Sequence, residues 1–126
     1  MKITSSAVSL TVDDVPASSK FLASHFGFTE RMSADGFASL SRDDGAMDLI
    51  FLRRGLEVLP EKLRDRHAAG TIVAFVIDDL EAEHHRLRAE GVRITLPPRD
   101  EPWGERLLLV EDPNGIVYEL VEWVTP

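Results

Sequence analysis

Two carboxylates stand where hydrocarbon is expected. Glu119 falls in the run Ile116-Val117-Tyr118-Glu119-Leu120-Val121-Glu122-Trp123-Val124, on one strand face with Val117, Val121 and Trp123. Asp48 falls in Ala46 to Arg53, on the face of Ala46, Ile50 and Leu52. An acid among such neighbours is costly unless it meets a cation, a donor or a proton. It can then coordinate a hard ion such as Mg²⁺, act as a base, or hold a cationic guest. The structural alternative is an ion pair that closes the core, for which Arg106 in Trp103-Gly104-Glu105-Arg106 is the candidate partner of Glu119.

Other chemistry is thinly represented. The four histidines fall on expected helices (His25, His84, His85) or in a linker (His67), and adjacent His84 and His85 point in different directions on a helix. With Cys at 0 there is no thiol nucleophile, zinc ribbon or disulfide framework. The glycines are scattered, no Lys follows a glycine cluster, and no Gly-x-Ser-x-Gly elbow occurs. Trp103 lies in Pro97-Pro98-Arg99-Asp100-Glu101-Pro102-Trp103-Gly104, read as a loop stiffened by three prolines, where it can stack on a guest or anchor a core or interface. Trp123, in a continuous apolar strand, is expected in the core. Lys and Arg total 14 against 22 Asp and Glu, a net charge of −8, which disfavours nucleic acid and tolerates a cationic ligand. Met1-Lys2-Ile3-Thr4-Ser5-Ser6 lacks a signal-peptide core and no run approaches a membrane span, so a soluble cytoplasmic protein is expected.

The elements that must position these groups come in two similar sets. In the first, residues 6–13 alternate as a strand, with Val8, Leu10 and Val12 on one face and Ala7, Ser9 and Thr11 on the other. Asp13-Asp14-Val15-Pro16 opens a helix carrying Phe21, Leu22 and Phe26, and Gly27 stops it. Strands follow at Phe28 to Met32, Phe37 to Ser41 and Ala46 to Arg53. Residues 55–70 read as a linker with room for a short helix. The second set then repeats the order: a strand from Thr71 to Ile77, an Asp78-Asp79 cap, a helix with Leu80 and Leu87, a Gly91 stop, and a strand from Val92 to Leu96. Asp112-Pro113-Asn114-Gly115 is a turn by composition and feeds the last strand. Recurrence of the whole order predicts two βαβββ modules, 6–54 and 71–126, in one α+β domain spanning 1–126.

Phe75-Val76-Ile77-Asp78-Asp79-Leu80, the Trp-Gly and Arg of 103–106, Asp112-Pro113-Asn114-Gly115 and Glu119-Leu120 together resemble the vicinal oxygen chelate superfamily, over roughly Ser6 to Val124. That group includes glyoxalase I, extradiol dioxygenases, fosfomycin resistance proteins and bleomycin resistance proteins. The resemblance implies modules pairing into a curled mixed sheet around a central cup, commonly in a homodimer. It also implies a divalent metal held by first-strand and last-strand residues of each module. The first-strand positions, usually His or Gln, fall here on Ala7 and Ile72, which cannot coordinate; the last-strand carboxylates fall on Asp48 and Glu119. Two carboxylates alone hold a transition metal loosely, since a usable site wants about three protein ligands.

The expectation is therefore a metal-free small-molecule-binding protein of the bleomycin-resistance kind, with no cofactor, sequestering a bulky or cationic ligand as in antibiotic resistance. Its pocket is expected to be lined by Ala7, Ser9, Thr11, Asp48, Ile72, Ala74, Val76, Trp103, Arg106 and Glu119. The alternative is a lyase or dioxygenase with a divalent ion at Glu119 and Asp48.

Overall fold

The computed structural model describes residues 1–124 and divides into two units, Met1–Ala69 and Gly70–Pro126. In the first unit the elements run β1 (Ala7–Val12), α1 (Val15–His25), β2 (Thr29–Ala34), β3 (Phe37–Ser41), β4 (Asp48–Arg53) and the short α2 (Glu61–Arg64). The second unit has β5 (Ile72–Val76), α3 (Leu80–Ala89), β6 (Arg93–Asp100), β7 (Glu105–Glu111) and β8 (Val117–Trp123). Each unit is a βαβββ module with a four-stranded mixed sheet, in the orders β1-β4-β3-β2 and β5-β8-β7-β6. The first and last strands of each module are parallel neighbours; the other pairs are antiparallel. The chain is thus α+β, as the repeat predicts.

The helix starts follow the side chains that cap them. Asp14 accepts the Ala17 N–H at 3.1 Å and Asp79 accepts the Ala82 N–H at 3.0 Å, each satisfying a donor that the first turn leaves open. Gly27 ends α1 with φ +67°, a conformation that suits glycine. The Arg42 guanidinium donates to the Phe26 carbonyl and is held by Asp44, so the β3–β4 connection also closes the helix end.

One face of each sheet is sealed by its helix. In the first unit Leu10, Val12, Ala38, Leu40, Leu49 and Phe51 are buried together with Leu22 of α1. In the second, Leu108, Val110, Tyr118 and Leu120 are buried with Leu80 and Leu87 of α3. The segment read as a linker belongs with the first unit: the Gly55 N–H donates to the Arg64 carbonyl, and the Ala68 N–H to Thr11 on the free edge of β1.

Half of the stiff loop expected over 97–104 is strand. β6 continues through Pro97 and Pro98 to Asp100, with register shifts between Ile94 and Leu96 and between Leu96 and Arg99. Prolines are tolerated there because β6 is an edge strand, where a missing N–H breaks no ladder on the open side. The connection that remains is tight, with the Glu101 N–H donating to the Glu105 carbonyl at 2.7 Å.

Candidate functional site

The turn before β8 is built on one buried carboxylate. Asp112 Oδ1 accepts the N–H groups of Asn114 (2.8 Å) and Ile116 (3.0 Å), and Oδ2 accepts the Tyr118 hydroxyl at 3.2 Å. Burial and the neighbouring Asp112 charge push the Tyr118 hydroxyl well above the usual phenol range, so it stays a donor. This anchor sets the start of β8 and hence which residues of it face which way.

Tyr118, Leu120 and Glu122 face α3: the first two are buried, and Glu122 Oε1 accepts the N–H of Leu80, the first residue of that helix, at 3.2 Å. Alternation then puts Val117, Glu119, Val121 and Trp123 on the opposite face. Beside them on β5 lie Ile72 (opposite Val117), Ala74 (opposite Glu119) and Val76 (opposite Val121). On β7 lie Leu109 (opposite Glu119), Leu107 (opposite Val121) and Glu105 (opposite Trp123). Ile72, Val76 and Trp123 are 55%, 67% and 57% exposed, whereas Val121 and Leu107 on the same face are buried, so this side is open along β5 and at the end of β8 but covered at its middle. Trp123 is not a core residue: it ends β8, beyond the buried Val121 on the same face.

Glu119 has no hydrogen-bond or ion-pair partner among the described residues. Partial burial, and secondarily the Glu105 charge, raise its carboxyl above the ordinary glutamate value. A carboxyl whose folded pKa exceeds its unfolded one is penalised by folding when ionised. The penalty is fully present above the folded pKa and fades as pH falls below the unfolded value. Glu119→Gln is accordingly expected to raise the melting temperature slightly at pH 7 and to lose that advantage near pH 4; a stability loss at pH 7 of more than about 0.5 kcal/mol would mean that Glu119 has a favourable partner.

Arg106 is not that partner. With Leu108 and Val110 it occupies the helix-side face of β7, where its Nε meets Asp100 Oδ1 at 2.8 Å and its Nη1 meets Glu122 Oε2 at 3.4 Å. The hydrogen bond from Arg106 holds the Asp100 carboxyl below its usual range. The Glu119–Arg106 ion pair considered from sequence is thus replaced by an Asp100–Arg106–Glu122 chain at the start of α3. Trp103 sits in the β6–β7 hairpin and is 64% exposed, so it too lies outside the core.

In the first unit the open face carries Ala7, Ser9 and Thr11 opposite Asp48, Ile50 and Leu52 respectively, with Asp48 half-buried. The register corrects one equivalence. Ala7 lies beside Asp48, but its counterpart Ile72 lies beside Val117, and Glu119 lies one row further along, beside Ala74. Asp48 therefore corresponds to Val117, and Glu119 to Ile50. A two-residue shift keeps side chains on the same face, so the apolar pattern cannot reveal it.

Two features escaped the sequence reading. Glu105 pairs with Trp123 on the face of Glu119, two pairs along the ladder from it, for which the only sequence signal is the alternation Glu105, Leu107, Leu109 in β7. A cavity of about 560 Å³ in the first unit lies between the start of α1 and the β2–β3 hairpin, lined by residues including Asp13, Asp14, Glu30, Asp35 and Arg53. Its charges are largely engaged: Arg53 pairs with Asp35 at 2.8 Å, Asp13 with Arg54 at 2.9 Å, and Glu30 accepts from Ser19.

Among the described residues no three His, Cys, Asp or Glu side chains gather as a ligand set. His25 packs against Phe21, His67 lies beside the Ala68 carbonyl, and His84 and His85 ride on α3.

A βαβββ module repeated with this topology and these strand-end residues defines a class. The chain belongs to the Glyoxalase/Bleomycin resistance protein/Dioxygenase superfamily, whose family model matches residues 4–120. No curated protein matches it. Among solved structures it is similar to a glyoxalase/bleomycin resistance protein/dioxygenase from Nocardioides (23% identity, 98% of this chain and 85% of that one, TM-score 0.79). It is also similar to TioX from Micromonospora sp. ML1 (25% identity, 97% and 100% covered, TM-score 0.72). A third similar structure is lactoylglutathione lyase from Agrobacterium tumefaciens (20% identity, 93% and 91% covered, TM-score 0.73). At these identities the likeness is one of fold. No helix is long and apolar enough to cross a membrane among the described residues.

Proposed function

We propose that this protein binds a bulky or cationic small molecule on its open sheet faces without a resident metal, sequestering it as antibiotic resistance members of the family do. The observation that supports this reading is Glu119: a carboxylate with no hydrogen-bond or ion-pair partner among the described residues, beside Ala74 on the face that carries exposed Ile72 and Val76. In this reading Ala7, Ser9, Thr11 and Asp48 contribute from the first unit's sheet and Ala74 from the second's, with exposed Trp103 available to stack. Arg106 enters by holding Asp100 and Glu122. The chain is read as a cytoplasmic homodimer whose partner covers free sheet edges; light scattering at the mass of one chain removes that part.

The second reading is a metal-dependent enzyme of lyase or dioxygenase type. The raised carboxyl of Glu119 favours it, since a base needs a pKa nearer the working pH, and the lactoylglutathione lyase neighbour bears such an activity in its name. Thermal shift against a small-molecule collection, with and without Ni²⁺, Zn²⁺, Fe²⁺ and Mg²⁺, separates the two. A site filled at one hundred times its Kd adds about 2.7 kcal/mol. The binding reading expects such shifts from organic ligands only, with elemental analysis well below one metal per chain. One tight metal equivalent would replace it with the enzyme reading.

A further inference from the structure

We infer that Asn114-Gly115 is a site of spontaneous deamidation, that the Asp112 turn holds the reaction in check while the second unit is folded, and that the reaction, once it occurs, loosens β8. Asn114 is the only side-chain amide in the chain, which contains no Gln. A following glycine is the least hindered setting for this chemistry, because no side chain shields the next backbone nitrogen. The Gly115 nitrogen loses its proton and attacks Asn114 Cγ; the new C–N bond closes a five-membered imide, and the side-chain nitrogen leaves as ammonia. Water then opens the ring. Attack at Cγ breaks the new bond and gives aspartate. Attack at the backbone carbonyl of residue 114 breaks the original peptide bond and gives isoaspartate, whose main chain runs through Cγ and is longer by one carbon. The net change is amide plus water to carboxylate plus ammonium, with no oxidant or reductant.

The fold opposes the first step in two ways. The Gly115 N–H donates to the Asp112 carbonyl at 2.9 Å, a bond the attacking nitrogen must give up before it can turn onto Asn114 Cγ. On either side of it the Asn114 and Ile116 N–H groups both donate to Asp112 Oδ1, at 2.8 and 3.0 Å, and the Asp112 N–H donates to the Ile116 carbonyl at 3.0 Å. These bonds pin the backbone through the reacting peptide. The second obstacle is charge: a buried carboxylate lies beside a nitrogen that must become an anion, and like charges disfavour each other most where water is excluded.

The product damages what restrained it. Either form sets a second carboxylate two residues from buried Asp112, and isoaspartate lengthens a turn in which the N–H groups of residues 114 and 116 must reach one oxygen. β8 begins at Val117, and Tyr118 donates to the same Asp112 carboxylate, so a distorted turn takes the start of β8 with it.

Incubating the intact protein in mildly alkaline buffer and following ammonia release, isoelectric focusing and the mass of the fragment containing Asn114 measures the rate. Asp35-Gly36 and Asp44-Gly45 release no ammonia on isomerising, so they do not interfere. The folded chain is expected to react at least about a hundredfold more slowly than the same chain in guanidinium chloride, since only the open turn reacts. Asp112→Ala should speed the folded protein at least about tenfold, and Tyr118→Phe should speed it less. If Asp112→Ala does not fold, guanidinium chloride below the unfolding midpoint takes its place, and the rate of the unaltered chain should climb with its concentration. Equal rates in folded and denatured chains, no ammonia from the denatured chain, or a rate that neither Asp112→Ala nor denaturant changes overturns the inference. The charge-shifted fraction, separated by ion exchange, should melt below the unmodified protein; identical melting overturns the claim that the reaction loosens β8.

Discussion

Asp112→Ala is expected to lower the stability of the second unit by about 3 kcal/mol, and the melting temperature by roughly 10 °C. The carboxylate satisfies two backbone N–H groups of its turn and the hydroxyl of Tyr118, which is fully buried. Alanine leaves all three donors without that acceptor, and buried unmade hydrogen bonds cost more than made ones contribute. Tyr118→Phe takes one donor from Asp112 Oδ2 and leaves the two N–H groups on Oδ1 in place, so it should cost less, about 1.5 kcal/mol. Chemical denaturation checks both. A loss under about 1 kcal/mol for Asp112→Ala would show that the turn holds its shape without the side chain, and Asp112 would cease to be the anchor of β8.

The second large effect separates the two faces of a strand. Phe51 is fully buried on the helix side of β4, and Phe51→Ala should cost about 4 kcal/mol through lost burial and the cavity left behind. Ile50, the next residue, is half-buried on the open face, and Ile50→Ala should cost about 1.5 kcal/mol. The contrast matters for function, because a face that contributes little to folding is free to change its side chains for a ligand. Comparable losses at the two positions would mean that both faces of this sheet are structural, and the ligand-binding reading of Ala7, Ser9, Thr11 and Asp48 would lose its basis.

Local chemistry decided much of this molecule in advance. Asp14 and Asp79 cap where a short acceptor before a helix must cap, the glycines stop helices, and Asp112-Pro113-Asn114-Gly115 turns. Alternation set which residues share a face with Glu119, since a strand's period of two is independent of its surroundings. Repetition of the element order was enough to name two βαβββ modules.

Tertiary structure decided what the pattern leaves open. Alternation defines two faces but not how far along a face burial extends, so Trp123 shares a face with buried Val121 yet is exposed at the end of β8. It also cannot sense a register shift of two, which separates Asp48 from the counterpart position of Glu119. Nor does it give the reach of a long side chain, which let Arg106 turn to Asp100 and Glu122 and leave Glu119 without a cationic partner among the described residues. Local structure depends on neighbours in sequence, whereas those outcomes depend on strand pairing and helix docking between residues far apart along the chain.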